Sequence, residues 1–95
     1  MQIQRSETGS KGAFYVEQNS RRLAEMTYSR AGNDRIIIDH TEVSEDLKGQ
    51  SAGKQLVAFA VEHARKNNLK IIPLCPFTAS VFKRTPEYAD VLDQH

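Results

Sequence analysis

The sequence has one cysteine, Cys75, and no tryptophan among its 95 residues. A lone cysteine cannot close an internal disulfide, which sets aside the stapled scaffolds of small secreted domains. One cysteine beside scattered histidines (His40, His63 and the terminal His95) cannot build a tetrahedral metal site, so no metal is expected. An excess of one charge is missing too. Thirteen Lys and Arg against twelve Asp and Glu give a formal net charge of +1, and no basic run forms the patch that nucleic acid requires. No apolar stretch approaches the ~20 residues of a membrane-spanning helix, and mean hydropathy is −0.55. The opening residues, Met1 to Glu7, lack the apolar centre of a signal peptide. The expectation is a soluble, cytoplasmic protein with neither a nucleic-acid nor a membrane partner. Its length suits one domain, residues 1–95, whose small core would be helped by a ligand or a second subunit; it is expected to be a monomer or weak homodimer.

What is present is a clear alternation of periods. Residues 13–17 suit a short strand, and Asn19 and Ser20 supply a turn. From Leu23 to Tyr28, Ala24, Met26 and Tyr28 alternate with Glu25 and Thr27, the period of a half-buried strand. Ala31 to Asp34 form the next turn. Ile36 to Val43 follow as a third strand, with three consecutive isoleucines suited to a position covered on both faces. These strands predict an antiparallel meander. A helix is predicted over about Ser51–Asn67, with Leu56, Val57, Ala60, Val61 and Ala64 on one face. Arg65 and Lys66 complement its C-terminal dipole. Leu69 to Cys75 read as a further strand, parallel to strand 36–43 through a right-handed crossover. The fold class is therefore α/β, with an α+β-like mixed sheet. Pro73 and Pro76 mark the last strand either as a simple edge or as a strand that peels away from its neighbour. A short helix with Thr78 as N-cap carries Val81 and Phe82, and Pro86 opens a final helical turn.

Between strand 36–43 and the helix lies Lys48-Gly49-Gln50-Ser51-Ala52-Gly53-Lys54. A glycine-bearing turn opening a helix presents free N–H groups and the positive dipole end, which together suit a phosphate. The P-loop pattern fails, because only three residues separate Gly49 from Gly53 and Lys54 is followed by Gln55. The dinucleotide fingerprint fails on glycine spacing and on its antiparallel surroundings.

The same run, followed by an apolar helix, resembles the pyrophosphate loop of the GNAT superfamily of acyl-CoA-dependent N-acetyltransferases. Its signature is Arg/Gln-x-x-Gly-x-Gly/Ala after the fourth strand. Lys48 takes the Arg/Gln position, Ser51 stands for the first glycine and Gly53 for the last. His40-Thr41-Glu42-Val43 before the loop and Leu74-Cys75-Pro76-Phe77 after the last strand make the chain similar to a minimal, short member. The resemblance covers roughly residues 11–92. It implies a GNAT-type meander, one parallel β-α-β step with a splayed last strand, and short C-terminal helices. It also implies acetyl-CoA as co-substrate, held by Val43, Lys48, Gly49, Gln50, Ser51, Ala52, Gly53, Lys54, Phe82 and Lys83, with the pantetheine arm in the splay. Helices that a full GNAT domain carries between its first two strands are missing, since Glu17 reaches Leu23 through five residues. So are the closing C-terminal strands. An open acceptor site follows, for an amine on a peptide, protein or polyamine.

Acetyl transfer needs a deprotonated amine, a polarised thioester carbonyl and a proton for the departing thiolate. Phe82 stands where the resemblance leads one to expect a tyrosine acid. Cys75 is its replacement, either as acid or as an acetyl-accepting nucleophile, unless it only fills space as buried free cysteines do. His40 is the candidate base, and Glu42 and Asp39 the candidate attractors of a cationic amine. Solvated surface roles remain the alternative for all three. A non-catalytic acyl-CoA-binding or protein-interaction module is the alternative function.

Overall fold

The computed structural model describes residues 1–93; His95 lies outside them. Five strands form one sheet in sequence order: β1 (Gln4–Thr8), β2 (Lys11–Gln18), β3 (Arg21–Arg30), β4 (Arg35–Val43) and β5 (Lys70–Pro73). The first four are antiparallel neighbours, and β4 pairs in parallel with β5. Helix α1 (Ala52–Lys66) makes the crossover, and α2 (Pro76–Arg84) follows β5. Residues Glu45–Leu47 and Pro86–Val91 are 3-10 turns.

The mixed sheet, its meander and its single parallel step follow the periodicity of the sequence. Leu56, Val57, Ala60, Val61 and Ala64 of α1 are all fully buried, against Phe14, Val16, Ala24, Met26, Tyr28, Ile36 and Ile38 on one sheet face. Each large aliphatic side chain buried there contributes about 1.5–3 kcal/mol. The opposite face of β2–β4 carries Tyr15, Glu25, Thr27, Asp39, His40 and Glu42, none of them buried.

Three expectations need correction. A strand precedes the predicted first one: Gln4–Thr8 is polar throughout, so no alternation announces it. It is fixed instead by side chains reaching under the sheet. Arg5 Nη1 donates to the Tyr28 hydroxyl at 2.9 Å, that hydroxyl donates to Glu7 Oε1 at 2.7 Å, and Arg30 pairs with Glu7 at 3.1 Å. The last strand is shorter than 69–75, ending at Pro73. Thr78 does not cap α2. Pro76 occupies the first helical position, where its missing N–H costs nothing; Cys75 is the capping residue and Thr78 is buried inside the first turn.

The C-terminal turn is strapped down. Arg65 on α1 donates to both oxygens of Asp90 at 2.9 Å and to the Glu87 carbonyl at 2.8 Å, while Lys70 donates to the Asp90 carbonyl. Beyond it, Leu92 bridges Ile71 in parallel and the Asp93 N–H donates to the Ile71 carbonyl, which covers the outer side of β5.

Candidate active site

The parallel ladder runs from Arg35↔Lys70 to Ile38↔Pro73 and stops. Pro73 has no N–H to continue it. The N–H groups of Leu74 and Cys75 both turn back to the Ile38 carbonyl at 3.0 Å, and the chain leaves the sheet into α2. β4 continues to Val43 paired with β3 alone. The two strands therefore diverge from Asp39 onward, as the prolines suggested.

A bulge decides what faces the gap. Thr27 pairs with His40 and Tyr28 with Ile38, so Asp39 is an extra residue on β4. Both Asp39 and His40 are exposed on the open face, and Thr27 holds Asp39 by a 2.6 Å hydrogen bond. After the bulge, Thr41 and Val43 turn toward the cleft while His40 and Glu42 stay outside, joined at 2.8 Å between Nε2 and Oε1. The hydrogen bond that His40 donates to Glu42, outweighing desolvation and aided by the charges of Glu42, Cys75 and Asp39, raises the His40 pKa above its ordinary value.

The cleft is lined by Thr41, Val43, Ser51, Gly53, Lys54 and Phe77 and encloses about 330 Å³. Its walls are mostly apolar, and its floor is the N-terminus of α1. Ser51 caps that helix in the left-handed conformation (φ 54°) without a side-chain hydrogen bond to it. Gly49 before it has φ +85°. The first N–H to close a helical turn is that of Gln55, onto Ser51, so the N–H groups of Ala52, Gly53 and Lys54 have no acceptor within the helix. Gln55 Nε2 donates to the Gln50 carbonyl at 2.8 Å, which pins the loop. Such a row of N–H groups, with Lys54 on the rim and the exposed Lys48 at the start of the loop, fits a pyrophosphate. Gly53 has a further reason to be glycine: a Cβ there would lie 2.7 Å from the Phe77 ring. Lys54 also borders a neighbouring cavity of about 220 Å³, with Val81, Arg84, Thr85 and Tyr88.

Cys75 sits at the inner end of the gap, and its Sγ is 3.5 Å from Thr41 Oγ1. Burial raises the thiol pKa. The Thr41 hydroxyl, the Thr78 N–H and hydroxyl and the Phe77 N–H outweigh it, holding the thiol below its ordinary value. Thr78 Oγ1 is fully buried and has no hydrogen-bond partner; an orphan of this kind costs about 1–3 kcal/mol.

The expected site residues thus fall into three groups. Val43, Ser51, Gly53 and Lys54 line the cleft, and Gly49, Gln50 and Ala52 shape its loop. Cys75 does not line the cleft but lies behind Thr41, which does, while His40 contacts Glu42 on the other side of β4. Phe82 lies in the core, edge-on to Tyr88, and Lys83 is exposed on the last turn of α2; neither lines the cleft. Thr41, Phe77 and Thr78 join the site without having been marked for it. Pro76 at a first helical position was the available signal, since it makes Cys75 the cap and places residue 78 one turn in, facing it.

The profile of the GCN5-related N-acetyltransferase family matches residues 13–91. A GCN5-like candidate N-acetyltransferase from Staphylococcus aureus, solved by NMR, is 41% identical over 97% of this chain and 89% of its own, with a TM-score of 0.73. The chain belongs to the GCN5-related N-acetyltransferase family.

Two larger structures share the GNAT fold at low identity. Ribosomal-protein-alanine N-acetyltransferase from Brucella melitensis biovar Abortus is 14% identical, with a TM-score of 0.61; the match covers 90% of this chain and 65% of that one. Nourseothricin acetyltransferase is 18% identical, with a TM-score of 0.50, over 82% of this chain and 47% of its own. No curated protein matches. Counting β1, the loop at 48–54 that resembles the GNAT pyrophosphate signature follows the fourth strand, β4. The first two strands are then β1 and β2, joined by Gly9 and Ser10 alone, so the helices expected between them are missing at that turn and not between residues 17 and 23. Among the described residues, no group of three or more His, Cys, Asp or Glu could hold a metal, and no helix is long and apolar enough to cross a membrane.

Proposed function

We propose that this GNAT chain binds acetyl-CoA and transfers the acetyl group to a cationic amine, with Cys75 carrying it between the two. The observation behind the reading is the early end of the β4–β5 ladder, beside a cleft that runs from Ser51, Gly53 and Lys54 to Thr41, whose hydroxyl is 3.5 Å from the Cys75 sulfur. The cradle's N–H groups, with Lys48 and Lys54, would hold the pyrophosphate, and Thr41, Val43 and Phe77 would flank the pantetheine arm.

Acetyl-CoA supplies an acetyl group activated as a thioester. Thr41 and the first turn of α2 keep Cys75 closer to its thiolate, the form that attacks a carbonyl. The new bond joins Cys75 Sγ to the acetyl carbon, the bond from that carbon to the CoA sulfur breaks, and CoA leaves as a thiolate. One thioester replaces another, at little free-energy cost. A depressed thiol pKa favours this role over that of acid, because an acid must hold its proton until the leaving group needs it. His40 and Glu42 lie across β4 from Cys75, so their part would be played at the surface: with Asp39 they would attract the cation, and His40 would take its proton there. The neutral amine would then move past the end of the ladder and attack the acetyl carbon; the new bond joins nitrogen to that carbon, the bond to Cys75 Sγ breaks, and the Cys75 thiolate is restored. With no helix over that face, the acceptor is a group that projects from a larger body, such as a peptide or protein amine, or a flexible polyamine. The protein would work in the cytoplasm, where acetyl-CoA is available.

Acetyl-CoA should raise the melting temperature while ATP leaves it unchanged; no shift at millimolar acetyl-CoA overturns the reading. Intact mass should show one added acetyl group in wild type and none in Cys75→Ala. A variant Cys75→Ala that retains full turnover removes the covalent role. The exposure of His40 and Glu42 favours a second reading, a CoA-binding module without turnover. Binding with no acetylation of any peptide, lysine or polyamine amine would decide for it.

A further inference from the structure

We infer that Cys75 is also a modification site, at which the protein forms a reversible mixed disulfide with coenzyme A delivered as CoA disulfide. The inference rests on the acetyl-CoA reading, because the cleft must hold a CoA moiety for it to operate.

The first observation is the Thr78 hydroxyl, wholly buried in the first turn of α2 and without a partner. It lies beside Cys75, whose ionisation it favours together with Thr41 and the Phe77 and Thr78 N–H groups. The Thr41 hydroxyl, 3.5 Å from Sγ, and the first turn of α2 together favour the ionised sulfur. The second observation is access. Cys75 is 6% exposed and is one hydroxyl away from the cleft, behind Thr41. A reagent that can place its own sulfur at the inner end of the cleft reaches Cys75; one that meets only the outer surface does not. The cradle selects reagents carrying a pyrophosphate, and CoA disulfide combines that handle with a reactive sulfur at the far end of the same arm.

The exchange balances without an external oxidant. The Cys75 thiolate attacks one sulfur of CoA disulfide, the S–S bond breaks, and its electron pair leaves with the other CoA as a thiolate. The products are Cys75–S–S–CoA and one free CoA thiolate. The nucleophile and the cleft are then occupied together, which closes the site to acetyl-CoA until a thiol reductant releases it. The chain thereby responds to the ratio of CoA disulfide to free thiols.

The test compares equal concentrations of CoA disulfide and glutathione disulfide on reduced wild-type protein, followed by acid quench and intact mass. One CoA adduct should form about a hundredfold faster than the glutathione adduct, through the effective concentration that binding supplies. It should disappear with dithiothreitol, be absent in Cys75→Ser, and be slowed by desulfo-CoA, which keeps the pyrophosphate and the arm but has no sulfur. In guanidinium the preference should vanish. Thr78→Val should slow the CoA reaction about three- to tenfold at pH 7, the gap closing above pH 9 where the thiol ionises unaided. Equal rates for the two disulfides on folded protein overturn the inference, as does an absence of adduct while Cys75→Ser still shows a melting shift with CoA. If Cys75→Ser and wild type both fail to bind CoA, the acetyl-CoA reading itself falls and takes this one with it.

Discussion

Arg35–Ile38 and Asp39–Val43 are consecutive stretches of one strand, yet they live under different constraints. The first pairs with β3 on one side and β5 on the other, and Ile36 and Ile38 are fully buried beneath α1. The second has β3 alone, begins with a bulge, and ends at Val43, which is 44% exposed. Thr41 and Val43 border the cleft where the ladder to β5 has ended, while His40 and Glu42 stand exposed on the other face of the sheet. The cleft here is made by stopping a regular structure early, and the stability of the strand is carried by the half that does not border it.

The sharpest way to break that contrast is to truncate one side chain in each half. Ile38→Ala should cost about 2–5 kcal/mol, as buried isoleucine truncations do. Val43→Ala should stay within about 0.5 kcal/mol. Urea denaturation measures both, and similar values would show that the two halves are equally load-sharing.

A smaller effect concerns the floor of the cleft. Alanine is favoured over glycine inside a helix by about 1 kcal/mol, but at Gly53 its Cβ must displace the Phe77 ring. Gly53→Ala should therefore bring no net stabilisation alone, and should stabilise by about 1 kcal/mol in a Phe77→Ala background. A double-mutant cycle reads the coupling; strict additivity would mean that Phe77 does not rest on Gly53.

The smallest effect is electrostatic. Glu42→Gln should return the His40 pKa toward about 6.5, followed by NMR titration of its ring protons. Because the folded-state pKa is raised, the His40–Glu42 contact contributes fully below about pH 6.5 and fades as the pH climbs through the raised value. On so exposed a pair its stability effect is slight. An unchanged His40 pKa in the variant would locate the cause elsewhere.

Much of this was readable in the residues. The alternation in 23–28, the isoleucines of β4 and the apolar face of α1 announced the sheet and its crossover, and the glycines at 49 and 53 announced the turn that opens α1. Polar β1 escaped because its partners, Tyr28 and Arg30, are remote in sequence. The faces of His40 and Thr41 were open to either assignment, since one bulged residue reverses the phase of everything after it. The pairing of Cys75 with Thr41 and Thr78 depends on that phase and on where α2 begins.

The bulge at Asp39 has an evolutionary side. One position opposite Thr27 displays two side chains on the open face, and the strand regains its alternation by Thr41. Substitutions at 39, 40 or 42 alter what the outer surface attracts without moving Thr41 or Val43 in the cleft. If the proposed function holds, such a chain can change which amines it attracts on one side of the sheet while the acetyl-carrying cleft on the other side is inherited unaltered.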